Sequence, residues 1–285
     1  MAAERSSAAL RRLFALWRLY GSMDLLWMAR DLRTVLAFTL SDLIFSVGSV
    51  AGMLLLAIRF GHVGRWSTDQ LAFMLGYAQL VTGLPNVFFN YNVSFISRRL
   101  GRGQLDHTLV QPLPLWMALL TEGFSPFSAA MQPVAGLALL AWTLPRTGVA
   151  VSPGWLGLLA LNLAASMVVT LAFTYIIGSL AFWAPRGAEE INSQSWSLVA
   201  ALMPLPLDGT GAFLTAGLLT LLPTGLIAWY PSRALLGLDT GSLHVLVTPA
   251  AAVCFTAITL LVFTQGLRHY VRTGSQRYLS FGHRR

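Results

Sequence analysis

Long stretches of this 285-residue chain carry almost no charge: 34–58, 71–94, 115–144, 155–184, 191–230 and 245–267. A helix needs about 20 mainly apolar residues to cross the hydrocarbon of a bilayer, and each stretch reaches that length. No water is available there to satisfy backbone amides, so the stretches should be helices that close their own hydrogen bonds. The rest of the chain cannot coat a soluble surface. Only 11% of its residues are charged, against about 25% in an average soluble domain. The expected fold class is an all-α polytopic membrane protein built as a single transmembrane domain over 1–285. A soluble enzyme and a disordered chain are excluded, and the lone Cys254 rules out a disulfide scaffold.

Charge then sets the number of crossings. Arg59, His62, Arg65 and Asp69 punctuate the first gap, Pro145, Arg146 and Pro153 the break after the third run, and Pro185, Arg186, Glu189 and Glu190 the break after the fourth. The run 191–230 is long enough to cross twice, so hydropathy alone counts seven spans. The N-terminal segment carries Arg5, Arg11, Arg12, Arg18, Arg30 and Arg33, and the tail 268–285 carries Arg268, Arg272, Arg277, Arg284 and Arg285 with no acid. The positive-inside rule places both ends in the cytoplasm, which requires an even number. Six spans leave only Arg59, Arg65, Arg146 and Arg233 outside. The expected spans are 34–58, 71–94, 115–144, 155–184, 191–208 and 245–267. Residues 209–230 become re-entrant outer helices, interrupted by Gly209, Gly211, Pro223 and Gly225. Such broken backbone is tolerated only where protein or a wet cavity covers it.

Residues 7–33 are too charged to span. As a helix they place Leu10, Leu13, Phe14, Leu16, Trp17 and Tyr20 on one side and Arg11 and Arg18 on another. That is an amphipathic helix for the membrane interface, although the same pattern suits a helix packed on the protein's own cytoplasmic loops. Trp66, Trp116, Trp142, Trp155, Trp183 and Trp229 gather at run ends, as an interfacial aromatic belt requires.

Motifs for covalent chemistry and for metal binding are missing. The five histidines are scattered, and no HExxH, CxxC or GxSxG occurs. All 19 basic residues are arginines. A P-loop needs a lysine for the β/γ-phosphates, so ATP-driven work would require a separate subunit. Two acids fall inside apolar runs, Asp42 and Glu122. An intramembrane acid marks a pathway, an ion site or a partner contact. For Asp42 a hydrogen bond at a helix interface is the competing reading, and Glu122 lies about two turns from the cytoplasmic end. Gly48 and Gly52 form a GxxxG that permits close helix approach.

The most informative stretch is 96–114, Ile-Ser-Arg-Arg-Leu-Gly-Arg-Gly-Gln-Leu-Asp-His-Thr-Leu-Val-Gln-Pro-Leu-Pro. It joins the second and third spans on the inner side. Arg98, Arg99 and Arg102 lie beside two glycines that can bend the chain, Leu105 and Leu109 bracket Asp106 and His107, and two prolines fix the exit. A short helix lying on the membrane face would suit transmission of a push from a cytoplasmic partner. A positively charged topology anchor without a partner is the alternative.

This sequence resembles the permease subunits of type-2 ABC transporters, in the branch described as "ABC-2 family transporter protein". The resemblance is carried by Gly103-Gln-Leu-Asp-His-Thr-Leu-Val-Gln-Pro-Leu-Pro114, where Gln111 stands in place of the family's usual arginine. It extends through Phe182-Trp183, Pro204-Leu-Pro206 and Tyr230-Pro-Ser-Arg-Ala-Leu-Leu-Gly237 to Gly266-Leu-Arg-His-Tyr270 and Arg277-Tyr-Leu-Ser-Phe-Gly282. It implies a permease, identical or related to a second one, served by two copies of an ABC ATP-binding subunit that hold the ATP and magnesium. This chain itself would bind no cofactor, metal or nucleic acid; its other contact would be membrane lipid. Residues 98–109 would be the coupling helix, with Arg98, Arg99, Arg102, Leu105, Asp106 and Leu109 docking the ATPase. The first and fifth spans would form the dimer seam at Gly48 and Gly52.

The resulting expectation is an exporter permease without enzymatic activity. An ion-coupled secondary transporter would need more acids than Asp42 and Glu122, and usually an internal repeat. An intramembrane enzyme would need paired carboxylates or a Ser/His pair at depth.

Overall fold

The computed structural model describes residues 2–94, 96–101, 103–239 and 241–274, and it is 81% helical. The elements are α1 (Ala2–Arg30), α2 (Leu32–Phe60), a hairpin of β1 (His62–Val63) and β2 (Trp66–Ser67), α3 (Thr68–Ser94), α4 (Ile96–Gly101), α5 (Gln104–Leu109), α6 (Leu115–Thr121), α7 (Met131–Thr143), α8 (Pro153–Gly178), α9 (Pro185–Leu202), α10 (Ala212–Thr220), α11 (Tyr230–Leu235) and α12 (Val247–Thr273). A 3-10 turn, Ser179–Phe182, prolongs α8, and a π-helical turn, Gly225–Trp229, leads into α11.

Local chemistry sets several of these boundaries. Asp31 caps α2 by accepting from the Thr34 amide at 3.1 Å and the Thr34 hydroxyl at 2.5 Å. Those bonds, the hydroxyl's first, hold its carboxyl below the usual carboxylate range. Gly61 ends α2 in the left-handed conformation, φ 76°. Ser152 caps α8 on the Trp155 amide, with Pro153 at the first helical position.

Four stretches are long and apolar enough to cross a bilayer: Leu32–Phe60, Thr68–Phe89, Pro153–Phe182 and Leu243–Thr273. A fifth candidate is the pair Ala212–Thr220 and Gly225–Leu235, bent by 82°. The chain is therefore an all-α polytopic membrane protein. Its centre is α3, with 72% of the apolar stretch buried, while α2 at 11% stands at the edge. Backbone contact seats α7 on α3. A Cβ on Gly136 would lie 2.8 Å from the Leu80 amide nitrogen and 2.9 Å from the Gly76 carbonyl. One on Gly83 would lie 2.5 Å from Pro133 Cδ. This is close helix packing on small residues. Gly136→Val should cost roughly 1–3 kcal/mol or more by overpacking, read as a lower thermal midpoint in detergent; an unchanged midpoint would refute the close approach. Gly48 and Gly52 have open space around them.

Two of the expected spans look different in the structure. The run 115–144 is not one helix: α6 stops at Thr121, Glu122 is extended and α7 starts at Met131. Tertiary bonds hold the break. Asp24 of α1 accepts from the Phe127 and Ser128 amides at 2.8 and 3.1 Å, and the Ser125 amide reaches the Val87 carbonyl at 2.9 Å. The run expected at 191–208 is a helix that begins at Pro185 and ends at Leu202, so Glu189 and Glu190 lie inside it. It is not among the stretches apolar enough to cross alone. The bent pair reaches Leu235, beyond the 209–230 expected for the re-entrant segment.

Candidate functional site

At the end of the bundle where α3 gives way to α4, the loop folds down onto a small apolar core of its own. Ile96, Leu100, Leu105, Leu119, Ala181, Phe182, Ala188 and Tyr270 are buried together. Gly178 makes room for α4, since a Cβ there would meet Ile96 Cγ2 at 2.3 Å. Phe182 packs edge-on to Phe263 and Tyr270, at centroid distances of 5.4 and 5.8 Å. Gly103, at φ 69°, allows the turn from α4 into α5.

Polar bonds then tie this end of the bundle to α1, α6, α9 and α12. Arg98 Nε meets Glu189 Oε1 of α9 at 2.5 Å. Buried Arg99 donates to Thr108 Oγ1 at 2.6 Å and pairs with Glu122 beyond α6. The Tyr270 hydroxyl of α12 donates to Asp106 Oδ1 at 2.5 Å. From α1, Arg12 donates to the Pro112 carbonyl and Trp17 to that of Leu120, both at 3.2 Å. Burial, with the negative charge of Glu122 adding to it, raises the hydroxyl of Tyr20, and Arg99 opposes both.

These contacts sort the residues expected to dock a partner. Leu105 is fully buried, Arg99 is buried, and Asp106 is held by Tyr270. Arg98 is half-buried in its ion pair. Arg102 lies outside the described residues. Leu109 is 40% exposed and leads into Val110 at 81%, with Gln111, Pro112 and Trp116 also exposed. Sequence reasoning missed Val110 as part of the accessible tip, and it missed Glu189 and Tyr270 as anchors. The Gly266–Tyr270 motif, already quoted for the family resemblance, was the available signal for the second anchor.

At the opposite end Asp208 is a hub. Trp66 Nε1 and Trp229 Nε1 donate to its Oδ2 at 2.5 and 2.7 Å, and Arg233 Nη1 donates to Oδ1 at 2.7 Å. Arg233 also pairs with Asp239 and lies over the Trp229 ring, 4.9 Å from its centroid. A cleft of about 410 Å³ opens between Gly64, Arg65, Leu207, Asp208, Thr215 and Trp229.

The two acids expected within the membrane part company. Glu122 is engaged by Arg99, whereas Asp42 is exposed on α2 and makes no hydrogen bond or ion pair among the described residues. Nearby, Gln79 Nε2 donates to the Ser46 carbonyl at 3.3 Å and to Ser49 Oγ at 2.7 Å. Among the described residues no three of His, Cys, Asp and Glu gather into a metal-binding group.

A helical membrane bundle with a tethered loop between its second and third helices fits the order of motifs along the chain, and residues 32–274 match the family described as ABC-2 family transporter protein. The chain belongs to that family. No curated protein and no solved structure matches it. As an ABC-2 family member it is a multi-pass membrane permease of an ABC transporter, and membership implies partnership with an ATP-binding subunit. Permeases of this family are the membrane components of their transporters rather than the nucleotide-binding enzymes.

Proposed function

We propose that this chain is one of two permeases, identical or related, in an ATP-driven exporter of a prokaryotic inner membrane, with both termini cytoplasmic. Two ATP-binding subunits supply ATP, magnesium and hydrolysis. Their closure pushes the α4–α5 loop, and the loop moves the bundle. The observation that carries this reading is the loop's construction: bonds to α1, α6, α9 and α12 and a buried apolar core make it rigid, while 109–112 remain exposed. A push on the exposed tip would reach several helices together. Leu109, Val110, Gln111 and Pro112 form the docking surface, with Arg98 beside it; Arg99, Leu105 and Asp106 hold it in place.

Six crossings are favoured by the course of α9. It starts beside Arg98 and leads to the turn whose Asp208 meets Trp66, so it runs the length of the bundle despite its polar residues. The bent pair stays near the hairpin, where Trp155 Nε1 donates to the Leu235 carbonyl at 2.9 Å. The open space around Gly48 and Gly52 leaves α2 free to meet the second permease.

The test is affinity purification of the tagged chain from its own membranes. A P-loop ATPase should come down with it, and ATP should drive export in vesicles. Transport that runs on an ion gradient with no ATPase present would overturn this reading.

A further inference from the structure

Most of the acids among the described residues are answered from within the chain, and Asp69, which is not, stands in the first turn of α3. Asp24 takes two backbone amides, Asp31 takes Thr34, Asp106 takes Tyr270, Glu122 and Glu189 take arginines, and Asp208 and Asp239 share Arg233. Glu190 accepts from the Gln194 amide at 2.8 Å. Asp42 is different. It lies ten residues into the 29-residue α2, on the least covered of the long apolar helices, without a bond among the described residues. Among the helices packed against α2, both α3 and α7 contain no arginine, lysine or histidine; α1, whose Trp27 meets Phe38, ends at Arg30, which makes no bond to Asp42, and Arg33 on α2 itself stands about 13 Å away along the axis. A charged carboxylate facing lipid is costly, and nothing among the described residues answers it, which favours a partner supplied by a bound molecule.

The neighbours of Asp42 indicate its chemistry. On a helix, residues three and four apart share a face. That places Phe38 and Phe45, exposed at 58% and 68%, beside the carboxylate on the turns before and after it. Trp27 of α1 meets Phe38, centroids 6.3 Å apart, and is itself 43% exposed. A carboxylate framed by uncovered aromatic rings recognises an organic cation: charge pairs with charge, and ring faces attract the cation and its apolar substituents. At about 100° per residue Gly52 falls roughly 20° and Gly48 roughly 60° from Phe45 around α2, so the site borders the proposed seam and particle mass has to be read beside binding.

We propose that Asp42, with Trp27, Phe38 and Phe45, is a binding site for apolar organic cations, and that cargo of this class is what the transporter moves. The cargo assignment rests on the permease reading; the binding site does not.

The full chain in lipid nanodiscs, with whatever ATPase co-purifies, should bind tetraphenylphosphonium and discriminate against tetraphenylborate, which has the same shape and the opposite charge. Asp42→Asn should weaken phosphonium binding at least tenfold, Asp42→Glu should restore most of it, and Phe45→Leu should weaken it several-fold. Phosphonium binding by Asp42→Asn within twofold of wild type would overturn the site, as would equal binding of the borate. So would a change in particle mass on Asp42→Asn, which would make the acid a contact between permeases. Absence of an ATPase from the wild-type preparation would instead sink the transporter reading and leave the binding result standing.

Discussion

Asp208→Ala should cost about 3–5 kcal/mol of stability, because it breaks a largely buried ion pair and leaves two buried indole N–H groups without their acceptor. The two side chains are only 11% and 21% exposed. Arg233 would keep Asp239, but Trp66 and Trp229 would both lose their acceptor. The hub links the hairpin after α2, the turn after α9 and the bent pair, so the loss should loosen all three. Thermal unfolding followed by intrinsic fluorescence gives the midpoint, with Trp66 and Trp229 among the nine tryptophans that contribute. Asp208→Asn keeps an acceptor oxygen and should cost less. Combining Asp208→Asn with Arg233→Gln should cost less than the sum of the single changes, since the pair is lost only once. A midpoint for Asp208→Ala within a degree of wild type would show that the hub is not holding these segments.

That hub was beyond the reach of sequence reasoning, and so was the loop's inner architecture, for one physical reason. Trp66, Asp208 and Arg233 meet across 142 and 25 residues of chain, and Tyr270 reaches Asp106 across 164. No local period encodes such pairs. What local chemistry controls was legible: α2, α3, α8 and α12 follow from apolar length, the bend after Thr220 from Pro223 and Gly225, and the capped start of α8 from Ser152 and Pro153. The run 115–144 misled because its apolar length outweighed the local breakers Gly123, at φ 108°, and Pro126, while Asp24 of α1, about a hundred residues away, holds a turn at 127–128. Leu105 and Leu109 make the same point at smaller scale. A six-residue helix gives too short a pattern to say which leucine turns inward. The structure buries Leu105 and exposes Leu109.

The contrast between those two leucines gives the second large effect. Leu109→Asp with Val110→Asp should leave the bundle folded, because both side chains are exposed, but should place two carboxylates where an apolar contact with the ATPase is proposed. Losing a central apolar contact at an interface typically costs at least 2 kcal/mol, about thirtyfold in affinity. The ATPase should therefore fall away from the purified permease, and ATP-driven transport should drop at least tenfold with the thermal midpoint unchanged. Leu105→Asp should behave in the opposite order. It would bury a charge among Ile96, Leu100 and Phe182 and lower the midpoint first, with loss of coupling as a consequence. Measuring midpoint and ATPase retention on both variants separates a contact residue from a supporting one. If the Leu109/Val110 variant retains its ATPase and its transport, the tip is not the docking surface, and the rigid loop behind it has some other partner or none.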